Sequence, residues 1–524
     1  MNTSKRVPAA TLIVIACVCW FLSPPQGLRE ADRLARIAEI SEVKIWEAAR
    51  ILKDDAEPPA DGASDEAELQ IRKRVLDARE QVAPDQSGQR AWRLFVLFAV
   101  TIGLILIDAM PVFTAAIGSL AIAVLTGVLT VDEGYSGFSV SFILLIVVAF
   151  TIAIGVAKSG LGARLAYHMI RRFGKSTLGL GYSLVLTDLL IAPAFPSNTA
   201  RSGVLFPIVD SVAKGSGSHP ESESRKKLGA YLVMVSVLGL SLSSALWLTA
   251  MAANPAGADL TAKLTGENLN FLRWFQAASV PTLVAFVVLP YLLYVFFPPE
   301  VKQTLEAPEA ARQKLATMGP LSHHERIMAV VFLVMVAFWA LKGVVGFDST
   351  AVAIAGLFVL LLTGVITLDD VKGSNGPTTF VWFASLYTLS RHLNKFGFMH
   401  WVGECAGDVV APFSWPVVYV ALVCVYVLIH YFFVSQTAHM FAVFPIFLSV
   451  GIQAGVPGLL LAMMLLQATN FFSPLTPQAS SSNAIFVGSG YVTTGEVYRY
   501  GGLIVLLSTI IYLVIGTPWM MYVL

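Results

Sequence analysis

The sequence predicts an all-α polytopic membrane protein, with about eleven transmembrane helices and two re-entrant hairpins arranged as two inverted repeats. Hydrophobic residues make up 56% of the 524 residues and charged residues only 13%. A typical soluble domain has about 25% charged residues. Apolar runs of membrane-spanning length recur along the chain, and a short polar motif occurs twice within them. These observations predict the fold class before any residue is assigned a role.

The transmembrane helices are predicted from apolar runs of about 20 residues, the length that crosses a bilayer. They lie at 8–24, 93–110, 112–130, 140–157, 228–252, 274–297, 326–345, 350–367, 379–393, 455–473 and 502–522. The first run follows Lys5 and Arg6 and has features of a signal peptide. Because LSPPQG after it offers no clear cleavage site, we expect a retained helix over 1–28.

Residues 29–91 differ from the rest of the chain in their charge. Of the 35 Lys and Arg and 34 Asp and Glu residues in the protein, 26 lie between positions 29 and 90. Apolar residues recur at helical spacing: Leu34, Ile37, Ile40 and Val43. The polar stretch EPPADGASDE at 57–66 interrupts them. We expect a charged extracytoplasmic insertion of two amphipathic helices around a polar turn, either solvated or docking a partner.

A first re-entrant hairpin is predicted near 176–213. Two apolar arms, each too short to cross a bilayer alone, meet there at Ser-Asn-Thr (197–199). Pro193 and Pro196 interrupt the helix just before this tip. Both flanks are basic, which places both on the cytoplasmic side. The chain is therefore expected to enter and leave the membrane on one side.

The tip has the chemistry of an anion site. Irregular backbone at membrane depth is tolerated only where it is buried in protein or lines a water-filled cavity. Ser197 and Thr199 offer hydroxyl groups, and Asn198 offers an amide. The helix after the tip directs free N–H groups and its positive dipole end to the same place.

The tip has a second copy. SQTA at 435–438 corresponds to SNTA at 197–200 with an offset of 238 residues. LTGVLTVDE at 125–133 corresponds to LTGVITLDD at 362–370 with an offset of 237. Matches in the same order at nearly one offset indicate an internal duplication.

The duplication predicts repeat 1 over 92–300, a cytoplasmic linker over 301–325, and repeat 2 over 326–524 with a hairpin near 413–452. An odd number of spans separates the hairpins, so they are expected to enter from opposite sides. The flanks of the second hairpin lack Lys and Arg, as expected outside. The N-terminus is then cytoplasmic and the C-terminus extracytoplasmic. Inverted repeats with broken segments are typical of secondary transporters.

Each repeat has one further interrupted helix. The sequences are LSLSSALWLTAMAANPAG at 240–257 and LLQATNFFSPLTPQASSSNAIFVG at 465–488. Both place Leu-Thr just before small, polar and proline residues, which pairs Thr249 with Thr476. Unwound backbone here would complete a site made of two tips and two broken helices. Further binding candidates in these segments are Asn254 and Ser480.

These motifs resemble those of the divalent anion:sodium symporter family of di- and tricarboxylate transporters. PSNTAR, the TAH of the second tip, LTAMAANP and FVGSGYV are most similar to the exchanger branch, which includes citrate/succinate, tartrate/succinate and 2-oxoglutarate/malate exchangers. The resemblance implies a homodimer with an elevator motion, a bacterial-type inner membrane, and small organic anion substrates of the same class. It also implies that the tips hold the substrate carboxylates, through Ser197, Asn198, Thr199, Ser435, Gln436 and Thr437.

Arg201 and His439 occupy equivalent places in the two repeats, at an offset of 238. Sodium-coupled members of the family place a cation near each tip, and an unneutralised dianion at the membrane midplane is costly. A guanidinium and a protonatable imidazole would supply this charge without sodium, which predicts obligatory exchange. The alternatives are a sodium-coupled symporter, or an Arg201 that pairs with Asp188 or Asp210 beside a His439 that belongs to the core. A proton-coupling role of Asp188 is equally open.

LTPQASSSNA at 475–484 departs from the Thr-His-Tyr-Gly-like run of the exchanger branch, which leaves a hydroxylated or sulfonated diacid possible. The net charge of +1 implies no nucleic-acid partner. The four cysteines have no metal or disulfide spacing. His323-His324-Glu325 lacks the second histidine of HExxH, so we expect a solvated linker there. No nucleophile–base pair indicates an enzyme, and we expect no catalytic residues, no bound metal and no cofactor other than a coupling sodium ion.

Overall fold

The computed structural model describes residues 3–54, 66–82 and 88–524, and these residues fold predominantly as helices. The helices of the first half of the chain are α1 Thr3–Phe21, α2 Gln26–Ile40, α3 Ile45–Asp54, α4 Glu66–Gln81, α5 Gln89–Leu106, α6 Val112–Leu125, α7 Val131–Tyr135, α8 Ser141–Ser159, α9 Leu161–Phe173, α10 Thr177–Ile191, α11 Asn198–Gly215, α12 Gly229–Leu246, α13 Ala253–Thr265 and α14 Phe271–Phe296. Those of the second half are α15 Ala307–Met318, α16 His323–Ala340, α17 Lys342–Val345, α18 Ser349–Leu362, α19 Leu368–Gly373, α20 Gly376–Lys395, α21 Phe398–Val410, α22 Trp415–Ile429, α23 Gln436–Gln453, α24 Gly458–Phe471, α25 Asn483–Val487, α26 Thr494–Glu496, α27 Gly502–Ile511 and α28 Thr517–Val523.

Eight helical segments within the described residues are long and apolar enough to cross a membrane. Six coincide with predicted spans. The other two, 177–194 and 415–432, are the first arms of the predicted hairpins. The expectation that both arms of the first hairpin are too short to cross is therefore wrong for its first arm. Within the first predicted span, Pro8–Phe21 is long and apolar enough only together with Gln26–Ile40, from which it is bent by 71°.

Three predicted spans are shorter in the structure, because α6, α18 and α24 have 14 residues each. Two of them stop early at a glycine with positive φ, Gly127 at 70° and Gly364 at 72°, a conformation that ends a helix. Thr130 and Thr367 then begin the next short helices through capping boxes. The predicted span at 379–393 lies within α20, which is not among the eight segments.

Helix boundaries recur at the offsets found in the sequence. The helices α10 and α11 begin 238 residues before α22 and α23, and α7 and α9 begin 237 residues before α19 and α21. A 3-10 turn at Ala192–Ala194 follows α10, and one at His430–Phe432 follows α22. This shared order agrees with an internal duplication. The opposite orientation of the two repeats stays a prediction.

One of two compact units comprises residues 1–139, 381–415 and 445–455. It includes the charged insertion, whose described residues form three helices, α2, α3 and α4, instead of the two expected. The chain turns between α2 and α3, where Glu42 adopts a positive φ of 56°. Apolar residues of the three helices pack into a small core: Ile37, Ala38, Ala48, Ile51, Val75, Ala78 and Val82. The polar turn predicted at 57–66 lies almost entirely outside the described residues.

The other unit comprises residues 140–380, 416–444 and 456–524 and contains both tips and both interrupted helices. Helix α12 is buried along its whole length and packs against α10, α11, α14 and α24. Helix α24 is also buried throughout. Since these two helices lead directly into the unwound segments, the breaks lie in the interior of this unit.

The linker predicted at 301–325 is folded onto the same unit, where α15 packs on α9. His323 and His324 are exposed, as expected of a solvated linker. Glu325 is not, because it is 2% exposed and accepts hydrogen bonds from Nε and Nη2 of Arg164 at 2.6 and 3.1 Å. Arg164 also donates to the carbonyl of Gly319 at 2.9 Å. The linker is therefore anchored by a buried ion pair.

Candidate substrate site

The first tip is the start of a helix. The chain leaves α10 through the 3-10 turn at Ala192–Ala194, runs extended, and begins α11 at Asn198. Ser197 caps this helix, since its Oγ accepts a hydrogen bond from the backbone N–H of Ala200 at 3.3 Å. A helix start has backbone N–H groups without intrahelical partners, and a serine cap satisfies only part of them.

The second tip has the same local structure. A 3-10 turn at His430–Phe432 follows α22, and α23 begins at Gln436. Oγ of Ser435 accepts a hydrogen bond from the backbone N–H of Ala438 at 3.3 Å. Both tips therefore present a capped helix start, and the serine caps at Ser197 and Ser435 are a feature that the sequence analysis did not predict.

A hydrogen bond joins the two tips. Nδ2 of Asn198 donates to Oε1 of Gln436 at 3.2 Å, and both side chains are buried. Nε2 of Gln436 donates in turn to the carbonyl of Thr469 at 2.7 Å, while Oδ1 of Asn198 accepts from Oγ of Ser244 at 2.7 Å. The amides predicted to hold the substrate thus mainly hold the tips together, and a direct role in binding stays a prediction.

The guanidinium of Arg201 is fully buried beside the first tip. Nη2 donates to Oδ1 of Asn198 at 2.6 Å, and Nη1 donates to Oδ2 of Asp188 at 2.8 Å. Four further oxygen atoms accept from it, namely the hydroxyls of Ser243 and Ser244 and the carbonyls of Leu240 and Ala250, each carbonyl at 3.4 Å. Arg201 is therefore surrounded by oxygen atoms at the end of α12.

The Arg201–Asp188 ion pair changes the interpretation of Arg201. Their side chains are 0% and 1% exposed, and Ser243 also donates to Oδ2 of Asp188. With the carboxylate ionised the pair has no net charge, so this arrangement gives the substrate no free positive charge from Arg201. Pairing with Asp188 was the alternative expectation. The other named partner, Asp210, instead pairs with Lys214 at 2.7 Å.

His439 lies among aromatic rings. Its ring is stacked on Phe472 and Phe433, with centroids 4.9 and 4.7 Å apart. Its Nδ1 lies 3.0 Å from Nδ1 of His430, whose Nε2 lies 3.0 Å from the carbonyl of Ala479. Because that carbonyl only accepts, Nε2 of His430 carries a proton, and in a neutral pair His439 donates to His430. The core role expected as an alternative for His439 fits this geometry better than a charged one.

The two interrupted helices share one pattern of hydrogen bonds. Nδ2 of Asn254 donates to the carbonyls of Ser244 and Trp247 at 2.9 and 3.2 Å. At an offset of 229, Nδ2 of Asn483 donates to the carbonyls of Ser473 and Thr476 at 2.8 and 2.9 Å. Each asparagine therefore binds the unwound carbonyls of its own break.

This offset corrects the pairing of Thr249 with Thr476, because it matches Thr249 with Gln478. Thr249 donates to the carbonyl of Pro193 at 2.9 Å, next to the first tip. The hydroxyl of Thr476 is buried and has no hydrogen-bond partner within the described part of the chain. Ser480 is buried against Ser482, with their hydroxyls 2.9 Å apart.

Asn470 links the two interrupted helices, since its Nδ2 donates to Oδ1 of Asn254 at 2.9 Å. The sequence reasoning missed this residue, together with other polar groups of the network: Ser243, Ser244, His430, Ser481 and Asn483. A usable signal was present. Buried polar residues in the last turn of an otherwise apolar helix, as in LSLSSALW and LLQATNFF, need partners inside the protein.

The solvent-accessible part of the site consists mainly of hydroxyl groups. Ser197, Thr199 and Ser435 are half-buried, and Ser481 is exposed. Thr437 is buried at 9% exposure. Within the described ranges no group of three or more His, Cys, Asp or Glu side chains has the arrangement of a metal site. The arrangement can hydrogen-bond a small polar anion.

The family model described as the sodium:sulfate symporter transmembrane region matches residues 82–524. The chain belongs to this family. The resemblance inferred from the tip motifs is thereby confirmed. Members of the family are multi-pass membrane transporters, which agrees with the apolar helices of this chain.

Two named relatives are similar to this chain over most of its length. The chain is 41% identical to the putative malate transporter YflS of Bacillus subtilis, over 83% of this chain and 92% of that protein. It is 40% identical to the chloroplastic dicarboxylate transporter 1 of Spinacia oleracea, over 83% of this chain and 77% of that protein. The solved structure of MtrF from Neisseria gonorrhoeae, from a class of antimetabolite efflux pumps, aligns with a TM-score of 0.54 at 14% identity, over 76% of this chain and 84% of MtrF. That likeness concerns the fold alone.

Proposed function

We propose that this protein is a secondary active transporter of dicarboxylates or related organic anions, which it exchanges without sodium. Its relatives are named malate and dicarboxylate transporters. The substrate class would include succinate, malate, 2-oxoglutarate, tartrate and citrate. A bacterial-type inner membrane, a homodimer and an elevator motion belong to the same proposal and rest on the family resemblance.

The two tips suit a dianion because each one is a helix start. The first turns of α11 and α23 have unpaired N–H groups and the positive ends of the helix dipoles. The 3.2 Å hydrogen bond between Asn198 and Gln436 brings the two helix starts together. A substrate with two carboxylates can place one at each helix start, where anions are favoured.

The position of the Arg201 guanidinium is the main observation that supports exchange without sodium. It lies among oxygen atoms that include Oδ1 of Asn198 and the carbonyl oxygens of Leu240 and Ala250. Carbonyl oxygens of unwound helices are the groups that bind Na⁺ in coupled transporters. A guanidinium in this position is a permanent cation that cannot dissociate. No sodium ion is then needed to hold the first tip in its bound shape.

His439 occupies the equivalent position in the second repeat. The rings of Phe433 and Phe472 cover it, and His430 binds its Nδ1. Aromatic rings and an imidazole are poor ligands for a sodium ion, which binds oxygen atoms in coupled transporters. Side chains of the protein therefore fill both positions that a coupling cation would use.

The neutralisation of Arg201 by Asp188 also helps to explain why transport would proceed by exchange. Because Asp188 neutralises Arg201, we assign Arg201 the role of fixing Asn198 rather than of neutralising the substrate. An empty site would carry the unpaired N–H groups of two helix starts through the membrane, which is unfavourable. Binding a second anion satisfies these groups, so return of the loaded site is favoured over return of the empty one.

Uptake into proteoliposomes tests this proposal. Labelled succinate and malate are offered to vesicles with or without internal dicarboxylate, in sodium buffer and in choline buffer. We expect uptake that requires internal dicarboxylate and is equal in the two buffers. Uptake into empty vesicles under a sodium gradient would instead establish a sodium-coupled symporter, the second candidate, which the description of the matching family favours.

A variant tests the role of Arg201 in the same vesicles. Arg201→Ala removes the fixed cation from the oxygen cluster, and we expect sodium-free exchange to be lost. Arg172→Ala, which changes an exposed arginine on α9, is the control and should exchange like the wild type. Normal sodium-free exchange by a correctly inserted Arg201→Ala protein would contradict the proposed role.

A further inference from the structure

A pair of hydroxyl groups lies at the first tip. Oγ1 of Thr199 and Oγ of Ser481 are 2.6 Å apart. Thr199 is the second residue of α11, and Ser481 belongs to the unwound segment between α24 and α25. Ser481 is exposed, whereas its neighbours Ser480 and Ser482 are buried and contact each other. The segment therefore directs one serine of the three toward the accessible surface at the tip.

The matching place at the second tip lacks this pair. The offset of 238 between the tips matches Thr199 with Thr437. The offset of 229 between the breaks, set by the matching hydrogen bonds of Asn254 and Asn483, matches Ser481 with Ala252. Alanine has no hydroxyl, so Thr437 at the second tip has no counterpart of Ser481 at this matched position. The two tips therefore offer different hydrogen-bonding groups to the two ends of a substrate.

We propose that the hydroxyls of Thr199 and Ser481 recognise a single hydroxyl group on the carbon next to a substrate carboxylate. The preferred substrates are then 2-hydroxydicarboxylates of the malate type. This inference rests on the proposed function, because it assigns a substrate class to the same site. It also gives a role to the serine-rich run in which the sequence departs from the exchanger branch.

The hydrogen-bond inventory of the pair fits a third hydroxyl. Two hydroxyl groups have two protons, and their mutual bond uses one of them. The other proton and the unused lone pairs remain for a ligand. A substrate hydroxyl can accept that proton and donate its own, while the neighbouring carboxylate lies at the start of α11. Thr199 and Ser481 then act as specificity-determining residues.

Succinate provides the comparison, because it has two carboxylates and four carbons but no hydroxyl. One net hydrogen bond changes an affinity by about two- to twelvefold. We therefore expect the wild-type protein to bind malate more tightly than succinate by a factor in this range. The factor is expected for one enantiomer of malate, because the pair lies at a fixed position beside the helix start.

The experiment measures the apparent affinities for malate and succinate in exchange assays on proteoliposomes. Ser481→Ala is expected to bring the malate-to-succinate affinity ratio close to one. Ser482→Ala, which changes the adjacent buried serine, is the matched control and should keep the wild-type ratio. Ser481→Thr retains a hydroxyl and should also keep a preference for malate, which separates loss of recognition from misfolding.

Two results would overturn the inference. One is a wild-type protein with equal apparent affinities for succinate and both enantiomers of malate. The other is a Ser481→Ala variant that retains the wild-type ratio. A correctly inserted wild-type protein that exchanges 2-oxoglutarate, tartrate or citrate but not malate would overturn the inference alone. If it exchanges none of succinate, malate, 2-oxoglutarate, tartrate and citrate, the proposed function itself fails, so the two failures are distinguishable.

Discussion

The buried ion pair of Asp188 and Arg201 gives a quantitative prediction about stability. Both side chains are at most 1% exposed, and the atoms Nη1 and Oδ2 are 2.8 Å apart. Removing one partner of a buried ion pair costs about 3–5 kcal/mol, because the remaining charge loses its compensation inside the protein. We expect Asp188→Asn to lower the free energy of unfolding by about 3 kcal/mol, the lower end of that range. The other oxygen atoms around Arg201 remain as acceptors.

Arg201→Met leaves the opposite charge uncompensated. Among the described residues Asp188 then keeps only the hydroxyl of Ser243 as a side-chain donor, so we expect a loss near the upper end of the range, about 5 kcal/mol. The double variant Asp188→Asn/Arg201→Met has no buried charge at this place. It is expected to be more stable than Arg201→Met alone, with a coupling energy between the two sites of about 1–3 kcal/mol.

The assay is unfolding of the purified protein in mixed detergent micelles, followed by tryptophan fluorescence. Glu309→Gln is the control, because it removes one partner of an exposed ion pair with Arg312 and should cost less than about 1 kcal/mol. A loss below about 1 kcal/mol for Asp188→Asn would refute the assignment of a buried, compensated pair. A double variant whose loss equals the sum of the single losses would refute it as well.

Three further outcomes are expected. Gln436→Asn shortens the side chain that reaches Asn198. The rate of exchange should fall about tenfold or more, because the tips lose their alignment. An unchanged rate per inserted protein would show that this hydrogen bond is dispensable. Glu325→Ala leaves a buried arginine without its partner and should lower the free energy of unfolding in micelles by about 3 kcal/mol, whereas Arg326→Ala, at an exposed position, should change it little. Replacing residues 45–82 by a short Gly/Ser linker should leave exchange intact, because the helices it removes, α3 and α4, pack on each other and on α2 and contribute no residue to the two tips. Loss of exchange by an inserted protein would contradict a peripheral role.

The sequence contained enough information to predict the fold class and the positions of the tips. Apolar runs reveal membrane helices because each must be long enough to cross hydrocarbon and must satisfy its backbone internally. The two copies of the tip motif, at an offset of 238, predicted both helix starts at Ser197 and Ser435. Local signals of this kind depend only on residues near one another in the chain.

The partners of the site residues are decided by packing. Arg201 contacts Asp188, 13 residues away, and Ser243, 42 residues away, and Asn198 contacts Gln436 across 238 residues. No local pattern distinguishes an arginine that faces a ligand from one that is neutralised by a neighbouring helix.

The interrupted helices show the same difference between what local sequence predicts and what packing decides. The sequence located both breaks, but aligned them through the Leu-Thr pairs that include Thr249 and Thr476. The structure aligns them through Asn254 and Asn483, whose side chains satisfy the carbonyls of the breaks. That alignment also matches the accessible Ser481 hydroxyl at the first tip with Ala252, which has no hydroxyl. By itself the sequence determined which stretches are apolar enough to form membrane helices and where the tips and breaks lie, because those features obey local hydrophobicity and backbone geometry. Only the tertiary structure decided which polar groups compensate each other, because a buried polar group is satisfied by whichever helix packs against it.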